Sequence, residues 1–129
     1  MNKNGIFTIT GWDEYDLKQV SSPLKVRRAT VTRSLSGFLR GEEKMEYCLV
    51  YSRKDHSEFT GTGTFVGTIG EATGTFAVLE LGCYEDGRIT SQFELHPLDD
   101  GGQKLDVLIG TGSYVAGDDC SMEYQIEFK

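Results

Sequence analysis

Apolar and polar residues alternate with a period of two along most of this chain. The clearest segment is Lys44–Arg53, where Met45, Tyr47, Leu49 and Tyr51 alternate with Glu46, Cys48, Val50 and Ser52. Successive side chains of a β-strand point to opposite faces, so this spacing is typical of a strand with one buried face. Turn residues separate similar segments, and together they predict about eight strands. The predicted strands are Gly5–Asp13, Leu24–Leu35, Lys44–Arg53, Glu58–Ile69, Thr73–Tyr84, Arg88–His96, Leu105–Val115 and a last one from Ser121 to the C-terminus.

Glycine lies inside several of these strands, most densely in FTGTGTFVGTIGEATGTF between Phe59 and Phe76. Glycine disfavours helix, and within strands it permits the coiling and corners of a closed sheet. Strands of this length in an open sheet would also leave two unpaired edges. We therefore expect an all-β chain that forms a single antiparallel eight-stranded β-barrel over residues 1–129, lipocalin-like in shape. A β-sandwich is the alternative.

Composition and charge exclude several classes of partner. The 129 residues and 14.3 kDa suit one domain, and 20 acidic against 13 basic residues give a net charge of -7. A negative field repels phosphate backbones and anionic lipid headgroups, so we expect neither nucleic acid nor a membrane as partner. The N-terminus has no signal-peptide pattern and no apolar run approaches the roughly 20 residues of a spanning helix, which indicates a cytoplasmic protein.

Neither a cofactor nor a metal is predicted. The spacing Gly61-x-Gly63-x-x-x-Gly67 approximates a dinucleotide fingerprint, but a strand continues where a helix would have to begin. The two histidines, His56 and His96, have no partner at a metal-like spacing. Three scattered cysteines, at 48, 83 and 120, form no zinc motif or disulfide framework, and we expect reduced thiols.

The supply of aromatic residues indicates where a ligand would bind. There are six tyrosines, seven phenylalanines and one tryptophan. The interior of a barrel of about eight strands is just wide enough to be filled by side chains or to hold one small ligand. The residues expected to contact a small apolar ligand are Trp12, Arg28, Tyr47, Phe93 and Tyr124. A solid core built from the same rings is the alternative.

Two carboxylates are candidates for acid–base chemistry. Glu46 and Glu94 each lie on a strand face opposite large apolar residues. A carboxyl group inside a dry barrel would hold its proton to higher pH and would suit proton transfer. The alternative is that both face solvent, as the alternation predicts.

Several short motifs together resemble a bacterial family of small β-barrels, domain of unknown function family 3224. The motifs are Trp12-Asp13-Glu14, Arg28-Ala29-Thr30-Val31-Thr32, Ser36-Gly37, Glu46-Tyr47, Phe65-Val66-Gly67-Thr68, Gly74-Thr75-Phe76 and Gly110-Thr111-Gly112. The resemblance spans nearly the whole chain and implies an eight-stranded barrel similar to that of plant allene oxide cyclase. It implies no established activity. The segment Pro97–Asp106 departs from the pattern, because it lacks a Ser-Gly-Thr-Gly stretch and carries aspartates.

These observations leave three hypotheses for the function. The first is the binding of a small, largely apolar molecule inside the barrel. The second, by analogy with the cyclase barrel, is an isomerase or cyclase that acts on a hydrophobic substrate. The third is a non-catalytic module that assembles with copies of itself through apolar residues on the outer face. A homo-oligomer is compatible with all three.

Overall fold

The computed structural model describes residues 4–21, 24–53, 56–86, 88–98, 110–116 and 121–128. The strands are β1 (Asn4–Ser21), β2 (Leu24–Gly37), β3 (Leu39–Arg53), β4 (His56–Ile69), β5 (Ala72–Glu85), β6 (Arg88–Pro97), β7 (Gly110–Ala116) and β8 (Ser121–Phe128). Each strand pairs antiparallel with the next, and β1 pairs with β8 to close the barrel. The predicted all-β antiparallel barrel is confirmed.

The largest difference from the predicted strands is at the first hairpin. We expected a loop after Asp13, but β1 continues to Ser21 and stays paired with β2. The register shifts between Ile9 and Gly11 and again between Asp16 and Lys18, and such β-bulges let a strand bend without leaving the ladder. Polar residues are compatible with this extension because the backbone, not the side chain, supplies the ladder hydrogen bonds. Residues 105–109 of the predicted seventh strand lie outside the described residues.

One end of the barrel, which we call the closed end, is filled by packed side chains. Tyr124 is fully buried there, and its ring stacks on Phe7 at a centroid distance of 5.8 Å. The Tyr124 hydroxyl accepts a hydrogen bond from the Leu39 amide at 2.8 Å and donates to the Ser36 carbonyl at 2.7 Å. These bonds tie β8 to the β2–β3 turn, so a polar group is buried without being left unpaired.

Glycines inside the strands make room for aromatic rings that lie across them. Gly61 of β4 is directly paired with Tyr47 of β3 on one side and with Glu80 of β5 on the other. A Cβ atom on Gly61 would lie 2.5 Å from the Tyr47 ring, closer than any real contact. Because Gly61 has no side chain, the ring crosses β4 and its hydroxyl reaches Glu80.

Candidate ligand cavity

A cavity of about 370 Å³ occupies the opposite end of the barrel, which we call the open end. Its size lies in the range of small-molecule sites. Aliphatic and aromatic side chains form most of its wall, and the polar contributions come from Arg33, Ser57 and the tyrosine hydroxyls. The aliphatic residues are Ile9, Val31, Leu49 and Ile89, and the aromatic ones are Trp12, Tyr47, Tyr51, Phe59 and Tyr84.

The mouth of the cavity is built from one row of paired residues. Ser57 of β4 is directly paired with Tyr51 of β3 and with Tyr84 of β5, so a small side chain lies between two rings. Only 2% of the Ser57 surface is exposed, and Ser57 is part of the cavity lining. A hydroxyl in a cavity wall can donate a hydrogen bond to a ligand or accept one from it.

Trp12 forms the rim next to this row and is 51% exposed. Its indole Nε1 donates a hydrogen bond to Glu14 at 3.1 Å, and Glu14 forms an ion pair with Arg27 at 2.5 Å. Burial, and secondarily the negative charge of Glu14, raises the pKa of Tyr51 above its ordinary value of 10.0. Tyr51 therefore stays neutral over the physiological pH range.

The floor of the cavity is charged. Arg33 of β2 is directly paired with Glu43 of β3, and both side chains are almost fully buried, at 3% and 4% exposure. Arg33 Nε donates to Glu43 Oε1 at 2.5 Å, and Arg33 Nη2 donates to Glu80 Oε1 at 3.0 Å. The Arg33 guanidinium also lies 4.4 Å from the centroid of the Phe7 ring, a cation–π contact.

Two hydroxyl groups complete this arrangement. Tyr47 donates to Glu80 Oε1 at 2.6 Å, and Ser91 donates to Glu80 Oε2 at 2.7 Å. We call Arg33, Glu43, Glu80, Tyr47 and Ser91 the charged cluster. Both oxygens of Glu80 thus accept hydrogen bonds, which is how a carboxylate is accommodated in a protein interior.

The two carboxylates of the cluster face a single guanidinium. Burial raises the pKa of Glu43 above its ordinary value of 4.5, and the attraction of Arg33 offsets this only in part, while the charge of Glu80 adds to the rise. With both carboxylates ionised, the cluster carries one net negative charge inside the barrel. Of its charged members, only Arg33 lines the cavity.

The sequence interpretation did not identify Arg33, Glu43 or Glu80 as candidates. A signal was nevertheless present, because each lies in phase with the apolar face of its strand. Arg33 lies between Val31 and Leu35. Glu43 is two residues before Met45, and Glu80 is two residues after Val78. A period of two places such residues inside the barrel.

The structure brings together two of the five residues expected at the ligand, Trp12 and Tyr47, which both line the cavity. Phe93 and Tyr124 are buried in the core and are not part of this lining. Arg28 lies on the outer face of β2, where 46% of its side chain is exposed, so it has no access to the cavity. The outer position follows from the alternation with its inward neighbour Ala29.

The two carboxylates considered for acid–base chemistry also lie outside. Glu46 is 62% exposed and lies 4.0 Å from Arg28. Glu94 lies 2.9 Å from His96 on the outer face of β6. The hypothesis of an interior position is wrong for both residues, because each is out of phase with the inward residues of its strand, such as Tyr47 and Phe93.

Other classes of site find no support in the described part of the chain. No group of three or more His, Cys, Asp or Glu side chains there could hold a metal ion. No helix among the described residues has the length and apolar character needed to cross a membrane. Cys48 and Cys83 are free thiols, and Cys120 lies outside the described residues.

Comparison with known proteins identifies the family. The model of the protein family "Protein of unknown function (DUF3224)" matches residues 3–128. No curated protein has a significantly similar sequence. A solved structure, that of a protein with unknown function from the DUF3224 family of Shewanella oneidensis MR-1, is similar with a TM-score of 0.70 and 16% identity, over 100% of this chain and 98% of that chain. At this identity the likeness shows the fold alone. Because the family model covers nearly its whole length, the chain belongs to the DUF3224 family.

Proposed function

We propose that this protein binds a small, largely apolar molecule in the cavity at the open end of the barrel. The observation that carries the proposal is a cavity of about 370 Å³ with a largely apolar wall that includes the polar residue Ser57, which is only 2% exposed. Apolar walls with a few convergent polar groups are typical of small-molecule sites. Burial of a ligand's apolar surface would stabilise the complex by about 25 cal/mol per Å² before the costs of association.

The contrast between the two ends of the barrel supports binding over a solid core. At the closed end, aromatic and aliphatic side chains pack together, and the fully buried ones include Leu39, Phe65 and Phe76. At the open end, Tyr51, Tyr84 and Ile89 are only partly buried around the cavity. Protein interiors are normally close-packed, so a space of this size in an otherwise packed barrel suits an occupant.

The enzymatic alternative has less support. The two carboxylates considered for it, Glu46 and Glu94, lie on the outer face. The interior carboxylates, Glu43 and Glu80, are held by Arg33 and do not line the cavity. One observation supports self-assembly, because Leu79 and Leu81 of β5 are exposed on the outer face. We include homo-oligomerisation and a cytoplasmic location in the proposal, the latter supported by the free thiols.

Native mass spectrometry of protein purified from its own cells tests the proposal, because it reports subunit number and any retained molecule together. We expect a stoichiometric extra mass that disappears on denaturation. Ser57→Phe should abolish it by filling the cavity mouth. The matched control is Ser52→Phe, since Ser52 is exposed on the outer face of β3 and its variant should keep the extra mass. Apo protein that shows no shift on addition of hydrophobic metabolites would contradict the proposal.

A further inference from the structure

We infer that the cavity selects an uncharged, flat, ring-containing molecule, and that the charged cluster beneath it excludes anions and cations. This inference rests on the proposed function and names the class of ligand. The charges, the rings and the hydrogen-bonding groups of the cavity each contribute a separate step to it.

The cavity disfavours anions. A ligand carboxylate or sulfonate in the cavity would meet Arg33, but that guanidinium already pairs with Glu43 and Glu80. A third anion would therefore join two carboxylates around one cation, in an interior where charges are poorly screened. The net charge of -7 over the whole chain opposes an anion as well.

The cavity also disfavours cations. Five aromatic rings line the cavity, and such rings by themselves would suit a quaternary ammonium group. The charged residue that the ligand would contact is Arg33, however, while the carboxylates of Glu43 and Glu80 lie behind it and outside the lining. A ligand cation would approach the guanidinium before it approached either carboxylate. The cavity therefore disfavours a cation because of Arg33, and it disfavours an anion because of the carboxylates of Glu43 and Glu80.

The lining of the cavity favours a flat ligand that carries a neutral polar atom. Tyr51 and Tyr84 flank Ser57 in one row across three strands, which leaves a slot between two aromatic side chains. Flat ring systems gain contact area and favourable ring–ring geometry in such surroundings. The hydroxyl of Ser57 can donate to or accept from a neutral polar atom, such as a carbonyl or hydroxyl oxygen.

Matched fluorescent probes test this inference. N-phenyl-1-naphthylamine and 8-anilinonaphthalene-1-sulfonate share one ring system and differ by a sulfonate, and a naphthylmethyl-trimethylammonium salt supplies a cation. Trp12 is the single tryptophan of the chain and lies on the rim, so its fluorescence reports entry into the cavity. We expect the neutral probe to bind at least about tenfold more tightly than either charged probe and to change the emission of Trp12.

Glu43→Gln tests whether the charged cluster sets this selectivity. The substitution removes one negative charge below the cavity and keeps the shape of the side chain. We expect the affinity for the sulfonate probe to rise about threefold or more relative to the neutral probe. Glu46→Gln makes the same chemical change on the outer face of the same strand. In this variant the ratio of the affinities for the sulfonate and neutral probes should stay within about twofold of the wild-type ratio. Far-UV circular dichroism of both variants verifies that they are folded.

The outcomes separate this inference from the proposed function. If no probe binds and Trp12 emission stays constant, the proposed function fails. If the sulfonate or the ammonium probe binds as tightly as the neutral one, the binding function stands and the selectivity for uncharged ligands is overturned. If the neutral probe is preferred but Glu43→Gln leaves the ratio of the affinities for the sulfonate and neutral probes unchanged, the role of the charged cluster in selectivity is overturned.

Discussion

Two pairs of arginine and glutamate join the same two strands, β2 and β3, on opposite faces of the barrel wall. Inside, Arg33 and Glu43 are 3% and 4% exposed and bond closely. Outside, Arg28 and Glu46 are 46% and 62% exposed and lie 4.0 Å apart. The residue types and the strands are the same, so the difference comes from the pleat, which turns odd-numbered residues of both strands inward and even-numbered ones outward.

The same type of ion pair has different consequences in the two environments. An exposed pair is screened by water and contributes about 0 to 1 kcal/mol. A buried pair contributes little net stability when complete, but removal of one partner leaves an uncompensated charge in the interior. The inner pair is therefore compatible with a stable fold only when every member of the charged cluster is present. Either residue of the outer pair can be substituted with little loss of stability.

The largest expected effect is from Arg33→Met. This variant leaves the carboxylates of Glu43 and Glu80 buried without their cation, and we expect a loss of about 3 to 5 kcal/mol in the free energy of unfolding. Arg28→Met on the outer face is the matched control, with an expected loss below about 1 kcal/mol. Urea unfolding of both variants measures the difference. Equal losses would mean that the inner and outer pairs are energetically equivalent.

A smaller effect is expected from Tyr47→Phe. The hydroxyl of Tyr47 donates to the buried carboxylate of Glu80 at 2.6 Å, and a hydrogen bond to a charged group contributes about 1.5 to 3 kcal/mol. The control is Tyr15→Phe, because Tyr15 is exposed and the substitution should stay within about 0.5 kcal/mol. Thermal or urea unfolding distinguishes the two. A Tyr47→Phe variant as stable as the wild type would show that Glu80 is satisfied without the Tyr47 hydroxyl.

The smallest effect is the pH dependence of stability conferred by Glu43. Because burial raises its pKa in the folded protein above the ordinary value of 4.5, the folded state binds more protons than the unfolded state between those two values. The contribution of Glu43 to stability is therefore full below about pH 4.5 and is lost as the pH rises through the folded pKa. The slope reaches at most about 1.4 kcal/mol per pH unit.

The stability difference between wild type and Glu43→Gln, followed from pH 4 upward by urea unfolding, isolates this contribution. We expect the wild type to lose stability relative to the variant as the pH rises. Glu46→Gln should differ from the wild type by less than about 0.5 kcal/mol at neutral pH, because its partner Arg28 is exposed. A wild-type advantage over Glu43→Gln that grows with pH would show that the attraction of Arg33 outweighs burial.

Alternation predicted correctly which residues share a strand face. Met45, Tyr47 and Leu49 share one face of β3, Phe59 and Phe65 share one face of β4, and the structure shows that both faces point inward. The charged cluster was missed because Arg33 and Glu80 were assigned to neither face of their strands and Glu43 precedes the predicted third strand, which begins at Lys44. Only the neighbouring strands show why Glu80 is acceptable inside, since Arg33, Tyr47 and Ser91 come from three different strands.

The sequence by itself determined the all-β class and which apolar residues share one face of each strand. Those properties follow from local spacing and residue preference, which a linear chain contains. The tertiary structure decided that one end is packed by Tyr124 and that the other encloses a cavity above Arg33. It did so because closure of the barrel sets which distant residues face each other across the interior, and spacing along a single strand carries no such information.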